Sequence, residues 1–166
     1  MRNRVARLVP QHTVWMGTFH RFCARLLRRY ANLVGLQENF SIYDMDDSHR
    51  ALVQAIEDAK VDLVRTTPDA IATAISHAKN ALVTSDKFQA RPGRTLDHFV
   101  AEIYPCYQRR LLASNAVDFD DLLLGAYRLL TDPRHEEVRR RMASQIRLLL
   151  VDEFQDTDPL QVELVK

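Results

Sequence analysis

Leu148-Leu149-Leu150-Val151-Asp152-Glu153-Phe154-Gln155-Asp156-Thr157 is the stretch from which the fold is read. Its first four residues form an unbroken apolar run, the pattern of a strand buried on both faces in a parallel sheet. Starting one residue earlier, the spacing predicts a strand over Arg147–Asp152. Two adjacent carboxylates, Asp152 and Glu153, stand where that strand ends. In open α/β sheets, ligands sit outside the carboxyl ends of the strands. An acidic pair there suits a magnesium nucleotide: one carboxylate holds the metal, often through its waters, and the next orients or deprotonates an attacking water. Asp-Glu after an apolar strand is also common without any nucleotide, so the pair needs support from the rest of the chain.

Composition narrows the field. The chain has 166 residues, 46% hydrophobic and 27% charged, which suits one soluble domain or part of a larger one and argues against disorder. No apolar run is long enough to span a membrane, and no signal peptide is visible, so a cytoplasmic setting is expected. Cys23 and Cys106 lie far apart without metal-ligand spacing and read as buried thiols in a reducing compartment. The six histidines are scattered, which argues against a structural zinc site.

Net charge is only +1, but its distribution is uneven. Seven arginines (Arg2, Arg4, Arg7, Arg21, Arg25, Arg28 and Arg29) precede the first acid, Glu38. A basic end on a near-neutral chain suits phosphate contact. None of the four glycines is followed by lysine, so the sequence carries no Gly-Lys-Ser/Thr phosphate loop. It holds one half of a nucleotide site without the other.

Between the basic end and the acidic stretch the patterning is helical. Met1 to Leu8 reads as the tail of a helix ended by Pro10, and Thr13–Thr18 as a short strand. Thr18 is placed to cap a helix over Phe19–Val34, with Gly35 as its stop. Its stripe of Phe19, Phe22, Cys23, Leu26, Leu27, Tyr30 and Val34 leaves Arg21, Arg25 and Arg28 on the other face. Phe40–Tyr43 reads as a brief extended piece, and Asp44–Asp47 as the start of a helix to about Lys60. Thr67-Pro68-Asp69 starts another helix, with Ile71, Ala74, Ile75, Ala78 and Leu82 inward. Thr84 to Gly93 reads as loop, with a turn at Asp86 to Gln89. A helix opens at Thr95 or Leu96, and its stripe carries on past Pro105, which predicts a kink rather than an end. Asp118 caps the next helix, with Asp121 three residues on and Phe119, Leu122, Leu123, Ala126, Tyr127 and Leu130 facing inward. Asp132-Pro133 starts a helix through Gln145, with Val138, Met142 and Ile146 inward, and Asp158-Pro159 starts a last one.

Asp152-Glu153-Phe154-Gln155-Asp156-Thr157 resembles the Walker B motif of superfamily 1 DNA helicases of the UvrD, Rep and PcrA type. Gly17-Thr18-Phe19-His20-Arg21-Phe22-Cys23, Phe40-Ser41-Ile42-Tyr43-Asp44, Ala78-Lys79-Asn80 and Ala116-Val117-Asp118-Phe119-Asp120-Asp121-Leu122 fit the same family in the right order. The resemblance covers nearly the whole chain. Two positions depart from the usual pattern: Arg21 stands where Ser commonly follows Thr-Phe-His, and Phe154 where many members have Tyr.

The resemblance implies a mainly α fold: a helical 1B-type insert flanked by two short strands and by helices left over from a RecA-like α/β motor domain. Residues 1–35 would be a motor remnant carrying the Thr-Phe-His motif, 36–146 the insert, and 147–166 the Walker B strand with the helix after it. Met1 matches an internal methionine of the family, so the chain is expected to begin inside a parent protein, after its phosphate loop. The two strands, cut from a larger sheet, are expected to pair with each other, to fray or to associate between chains.

By the same resemblance the parent would use ATP and magnesium to move 3′ to 5′ on single-stranded DNA in repair or replication. Asp152 would hold the metal, Glu153 would activate water, and Gln155 with Asp156 would link the site to neighbouring motifs. Thr18, Phe19, His20, Arg21, Arg25 and Arg28 would touch DNA. Asp118 reads equally as a helix cap or as a residue near DNA. The isolated chain would be inactive as an ATPase, and its partners would be single-stranded DNA and the remaining helicase domains, with no membrane. The alternative is a self-standing helical module that binds nucleic acid or protein, its acidic motif a relic.

Overall fold

Five helices begin where a short polar side chain can close the first turn. In the computed structural model, which describes residues 14–166, these are α1 (Phe19–Arg29), α2 (Met45–Ala59), α3 (Pro68–Asn80), α5 (Phe119–Thr131) and α7 (Pro159–Val165). The caps Thr18, Asp44, Thr67, Asp118 and Asp158 each accept a backbone N–H three residues on. Each satisfies a donor that the helix itself cannot. The remaining helices are α4 (Thr95–Ala113) and α6 (Glu136–Gln145). α4 runs unbroken through Pro105, so the proline does not end it, in keeping with the apolar stripe that continues on both sides.

The apolar stripes close two separate cores. Cys23, Leu26 and Leu27 of α1 pack with Leu122, Leu123, Ala126 and Leu129 of α5, Val138 of α6 and Leu160 of α7. Leu52 and Ala55 of α2 pack with Ile71 and Ile75 of α3 and with Val100, Ile103, Tyr104, Tyr107 and Leu111 of α4. Gly125 lets α1 and α5 approach closely: a Cβ there would stand 3.3 Å from Leu27 Cδ1.

A two-stranded parallel sheet joins the cores. β1 (Ser41–Ile42) pairs with β2 (Ala116–Val117), Ser41 opposite Ala116 and Ile42 opposite Val117. Successive residues of a strand point to opposite sides. Ala116 accordingly enters the α2–α4 core and Val117 the α1–α5 core. Asn115, at φ 47°, turns the chain into β2, and its Oδ1 accepts the Gln37 N–H at 2.8 Å. Asparagine tolerates that left-handed conformation better than most residues.

Several expectations are corrected. The Met1–Leu8 helix and Thr13 lie outside the described residues, and Val14–Thr18 is not a strand. Arg147–Asp152 is not one either: Leu148, Leu149 and Leu150 are exposed, and no described strand pairs with them. A strand satisfies its N–H and C=O groups only through a neighbour, so an apolar run without one stays irregular. The strands that do form come from Phe40–Tyr43, read as extended, and from Ala116–Val117, read only as part of a motif.

The helix expected over Phe19–Val34 stops at Arg29. The Tyr30 N–H is shared between the Leu26 and Leu27 carbonyls, and a 3₁₀ turn over Ala31–Val34 carries the chain to Gly35 at φ 77°. Asp132-Pro133 begins a 3₁₀ turn, Pro133–His135, before α6. Phe119 and Ile146, expected inward, are exposed. Cys23 is buried, and burial pushes its thiol up to about 12, but Cys106 is only partly covered beside the Arg109 guanidinium.

Candidate nucleic-acid and nucleotide sites

The first turn of α1 gathers the basic and aromatic residues of the Thr-Phe-His motif. Thr18 Oγ1 accepts the Arg21 N–H at 3.2 Å, which places Phe19 and His20 in the opening turn. No acid stands in that turn, so the positive end of the helix is uncompensated by side chains. Phe19 packs partly on the α1–α5 core. His20 is half-buried, its ring edge-on to Phe119 with centroids 5.5 Å apart. Trp15 lies edge-on to Phe22 at 6.0 Å. Gly17 makes this possible, because a Cβ there would come within 2.7 Å of the Trp15 ring.

Arg21, Arg25 and Arg28 of α1 divide into two sets. Arg21 and Arg25 are exposed, and among the described residues neither forms an ion pair. Arg28 donates to the Glu38 carbonyl at 3.1 Å and lies 4.7 Å over the Phe40 ring. Its guanidinium already has two partners within the fold.

Behind this face lies a buried charge cluster. Lys79 of α3 is fully buried, with Nζ 2.6 Å from Asp118 Oδ2 and 2.8 Å from Asp121 Oδ1. The Tyr107 hydroxyl donates to Asp118 Oδ2 at 2.9 Å, and Gln108 Nε2 donates to Asp121 Oδ1 at 2.9 Å. Asp118 and Asp121 also form a reciprocal capping box at the start of α5. Burial opposes charge on Lys79, but Asp121 and Asp118 outweigh it and hold the ammonium protonated well above its usual range. Burial would raise Asp118 too, yet Lys79 and its hydrogen bonds keep it low. With two carboxylates facing one ammonium, Asp121 is the one whose charge is disfavoured: burial, against the pull of Lys79 and with repulsion from Asp118, pushes it up to about 7.

Sequence reasoning placed Lys79 and Phe119 in family-like motifs but gave neither a role in the site. Lys79 continues the i, i+4 row of Ile71 and Ile75, so a lysine in apolar register was the available signal. Phe119 follows the cap Asp118, and nothing local distinguishes an outward from an inward aromatic at that place.

The acidic motif lies on the surface. Asp152, Glu153, Gln155 and Asp156 are exposed, around a 3₁₀ turn over Phe154–Asp156. Glu153 holds φ 51°, and its carboxylate accepts the Gln155 amide. A side-chain-bearing residue in the left-handed region costs on the order of 1 kcal/mol or more, a strain that clusters at functional sites. Among the described residues neither Asp152 nor Glu153 forms an ion pair. Two carboxylates without an ion-pair partner fit magnesium, which takes one or two such ligands and keeps the rest as water or phosphate oxygen.

The chain belongs to a helicase family. Residues 1–166 match the family described as UvrD/REP helicase N-terminal domain. It is 45% identical to the ATP-dependent DNA helicase UvrD1 of Mycobacterium leprae and 44% identical to that of Mycobacterium tuberculosis, over all of this chain and 22% of each relative. It is 35% identical to the ATP-dependent DNA helicase PcrA of Staphylococcus aureus, over all of this chain and 23% of that protein. The chain therefore spans less than a quarter of the length of the curated relatives it matches.

Proposed function

We propose that this chain is part of an ATP-dependent DNA helicase, supplying the acidic hydrolysis motif and a section of the single-stranded DNA track. Its parent would translocate 3′ to 5′ in repair or replication, in the cytoplasm. Residues 1–35 and 147–166 would belong to the motor domain and 36–146 to a 1B-type helical insert. The observation that carries this reading is the acidic motif, held exposed and unpaired in a chain that matches the family along its whole length. The exposed Leu148–Leu150 run favours a motor part over a self-standing module, because it offers an apolar strand sequence to sheet neighbours.

Asp152 would hold magnesium, which when bound neutralises charge on the transferred phosphoryl group. Glu153 would take the proton of the attacking water, and Gln155 would orient Glu153 through the amide bond they share. Asp156 would connect the site to neighbouring motifs. Without a Gly-Lys-Ser/Thr loop, these acids have nothing to cradle the phosphates, so the 166-residue chain by itself should not turn over ATP. DNA would run past Thr18, Phe19 and His20, with Phe119 added to the aromatic set. Arg21 and Arg25 would meet phosphates. Arg28 would join them only by leaving Glu38 and Phe40. Among the described residues no helix is long and apolar enough to cross a membrane.

Fluorescence anisotropy with a labelled oligonucleotide at several salt concentrations tests the DNA face. Each neutralised phosphate contributes roughly −0.7 to the log–log salt slope, so Arg21 and Arg25 together should give about −1.4. Reversing both charges should remove that contribution. Binding and slope left unchanged by the double reversal would defeat the DNA reading.

A further inference from the structure

Lysine is almost never fully buried without a partner, and an apolar residue at position 79 would extend the row of Ile71 and Ile75. A buried ion pair is commonly no more stabilising than a well-packed apolar substitute. What an ammonium supplies and a methyl group does not is direction: its donors fix where the carboxylates must stand. Both carboxylates belong to the other core. Lys79 lies on α3, whereas Asp118 and Asp121 open α5, just after β2 crosses from one core to the other.

The grip covers nearly all of the first turn of α5. Asp118 Oδ1 accepts the Asp121 N–H at 2.8 Å, while its Oδ2 takes Lys79 and the Tyr107 hydroxyl. Asp121 Oδ1 takes Lys79 and Gln108. Asn80, the next residue of α3, donates to Asp120 Oδ1 at 3.2 Å. Three of the four residues Asp118 to Asp121 are therefore held from α3. The fourth, Phe119, points out of the cluster and meets His20.

We infer that Lys79 is a positioning residue for the DNA face: by gripping Asp118 and Asp121 across the two cores, it sets the first turn of α5 and so holds Phe119 edge-on to His20 beside Arg21. In its consequence for DNA this rests on the function proposed above. The placement of Phe119 stands or falls independently of it.

The experiment uses the 166-residue chain and the Lys79→Met variant, which keeps length and apolar bulk while removing the charge. The first readout is the His20 imidazole proton resonance, which the Phe119 ring current shifts. In Lys79→Met it should move toward its position in Phe119→Ala. The second readout is anisotropy with a labelled oligothymidylate. Stacking losses of this kind weaken binding on the order of tenfold. The salt slope should not change, since Arg21 and Arg25 remain. Combining Lys79→Met with Phe119→Ala should cost no more than either alone, because both remove the same stacked ring.

A folded Lys79→Met chain whose His20 resonance stays put overturns the inference, as do strictly additive losses in the double variant. If Lys79→Met does not fold, Tyr107→Phe removes a single hydrogen bond to Asp118 and should move the same resonance the same way by less. An unmoved resonance there is equally fatal. If the wild-type chain binds no oligonucleotide, the DNA reading fails, and the His20 resonance still decides the positioning.

Discussion

Two runs of three leucines behave oppositely. Leu122, Leu123 and Leu124 are 1%, 1% and 5% exposed, whereas Leu148, Leu149 and Leu150 are 75%, 53% and 83% exposed. Their composition is identical, so hydrophobicity does not separate them. The first run sits in α5, which satisfies its own backbone hydrogen bonds and needs only side-chain partners, provided by α1, α6 and α7. The second run reads as a strand, and a strand must find a neighbour for its backbone before its side chains can be buried. Burial therefore depends on whether the backbone problem is solved within the segment or only by another one.

The sharpest test of that contrast is truncation on each side. Leu123→Ala should destabilise the fold by about 2–5 kcal/mol in urea unfolding, the usual range for a fully buried leucine. A loss below that range would mean the α1–α5 core relaxes around the cavity.

A second test asks how far charge, as well as packing, holds the buried run in place. Asp121 is raised from 3.8 to about 7 in the fold. A carboxyl group with a raised folded pKa stabilises fully below its unfolded value and loses that contribution as pH rises through the folded one. Stability should therefore decline between about pH 4 and pH 7 on account of Asp121, by at most about 1.4 kcal/mol per pH unit for one proton. Asp118, held low, acts in the opposite sense at lower pH. The two aspartates titrate as a pair, so the readout is a difference. Asp121→Asn should flatten the pH profile in this window relative to wild type. Parallel profiles would show that Asp121 is not the carboxyl raised by the fold.

The smallest effect is expected at the exposed run. Leu149→Ser should change stability by less than about 0.5 kcal/mol, as for surface positions in general. It should also reduce concentration-dependent association in sedimentation, because it interrupts an exposed apolar strand sequence. A large loss of stability would show that the run is covered in solution.

What could be read from the sequence was local. Thr18, Asp44, Thr67, Asp118 and Asp158 all cap helices as their spacing predicts, because a cap needs only its own side chain and an N–H three residues away. The helical stripes were legible for the same reason, since their period is set within a few residues. The six-residue acidic motif and the Thr-Phe-His motif were visible as strings, and with them the family. Less legible were the ends that depend on context, such as α1 stopping at Arg29 instead of Val34.

Tertiary structure decided the rest. Nothing in Leu148–Leu150 states whether a neighbouring strand exists, and nothing in Ala116-Val117 states that Ser41-Ile42 lies beside it, 75 residues away in sequence by the pairing Ser41 to Ala116. Lys79 is legible as a lysine in apolar register, but its two carboxylates come from a helix that begins 40 residues later, at Phe119. Phe119 turns outward because α3 holds the aspartates on either side of it, and Arg28 is occupied because Glu38 and Phe40 fold back onto α1. Amino-acid order by itself determined the helices, their caps and the family motifs, because those rest on interactions within a turn or two. Strand pairing, the buried ion cluster and the make-up of the basic–aromatic face rest on contacts between distant segments, and only the folded chain brings those together.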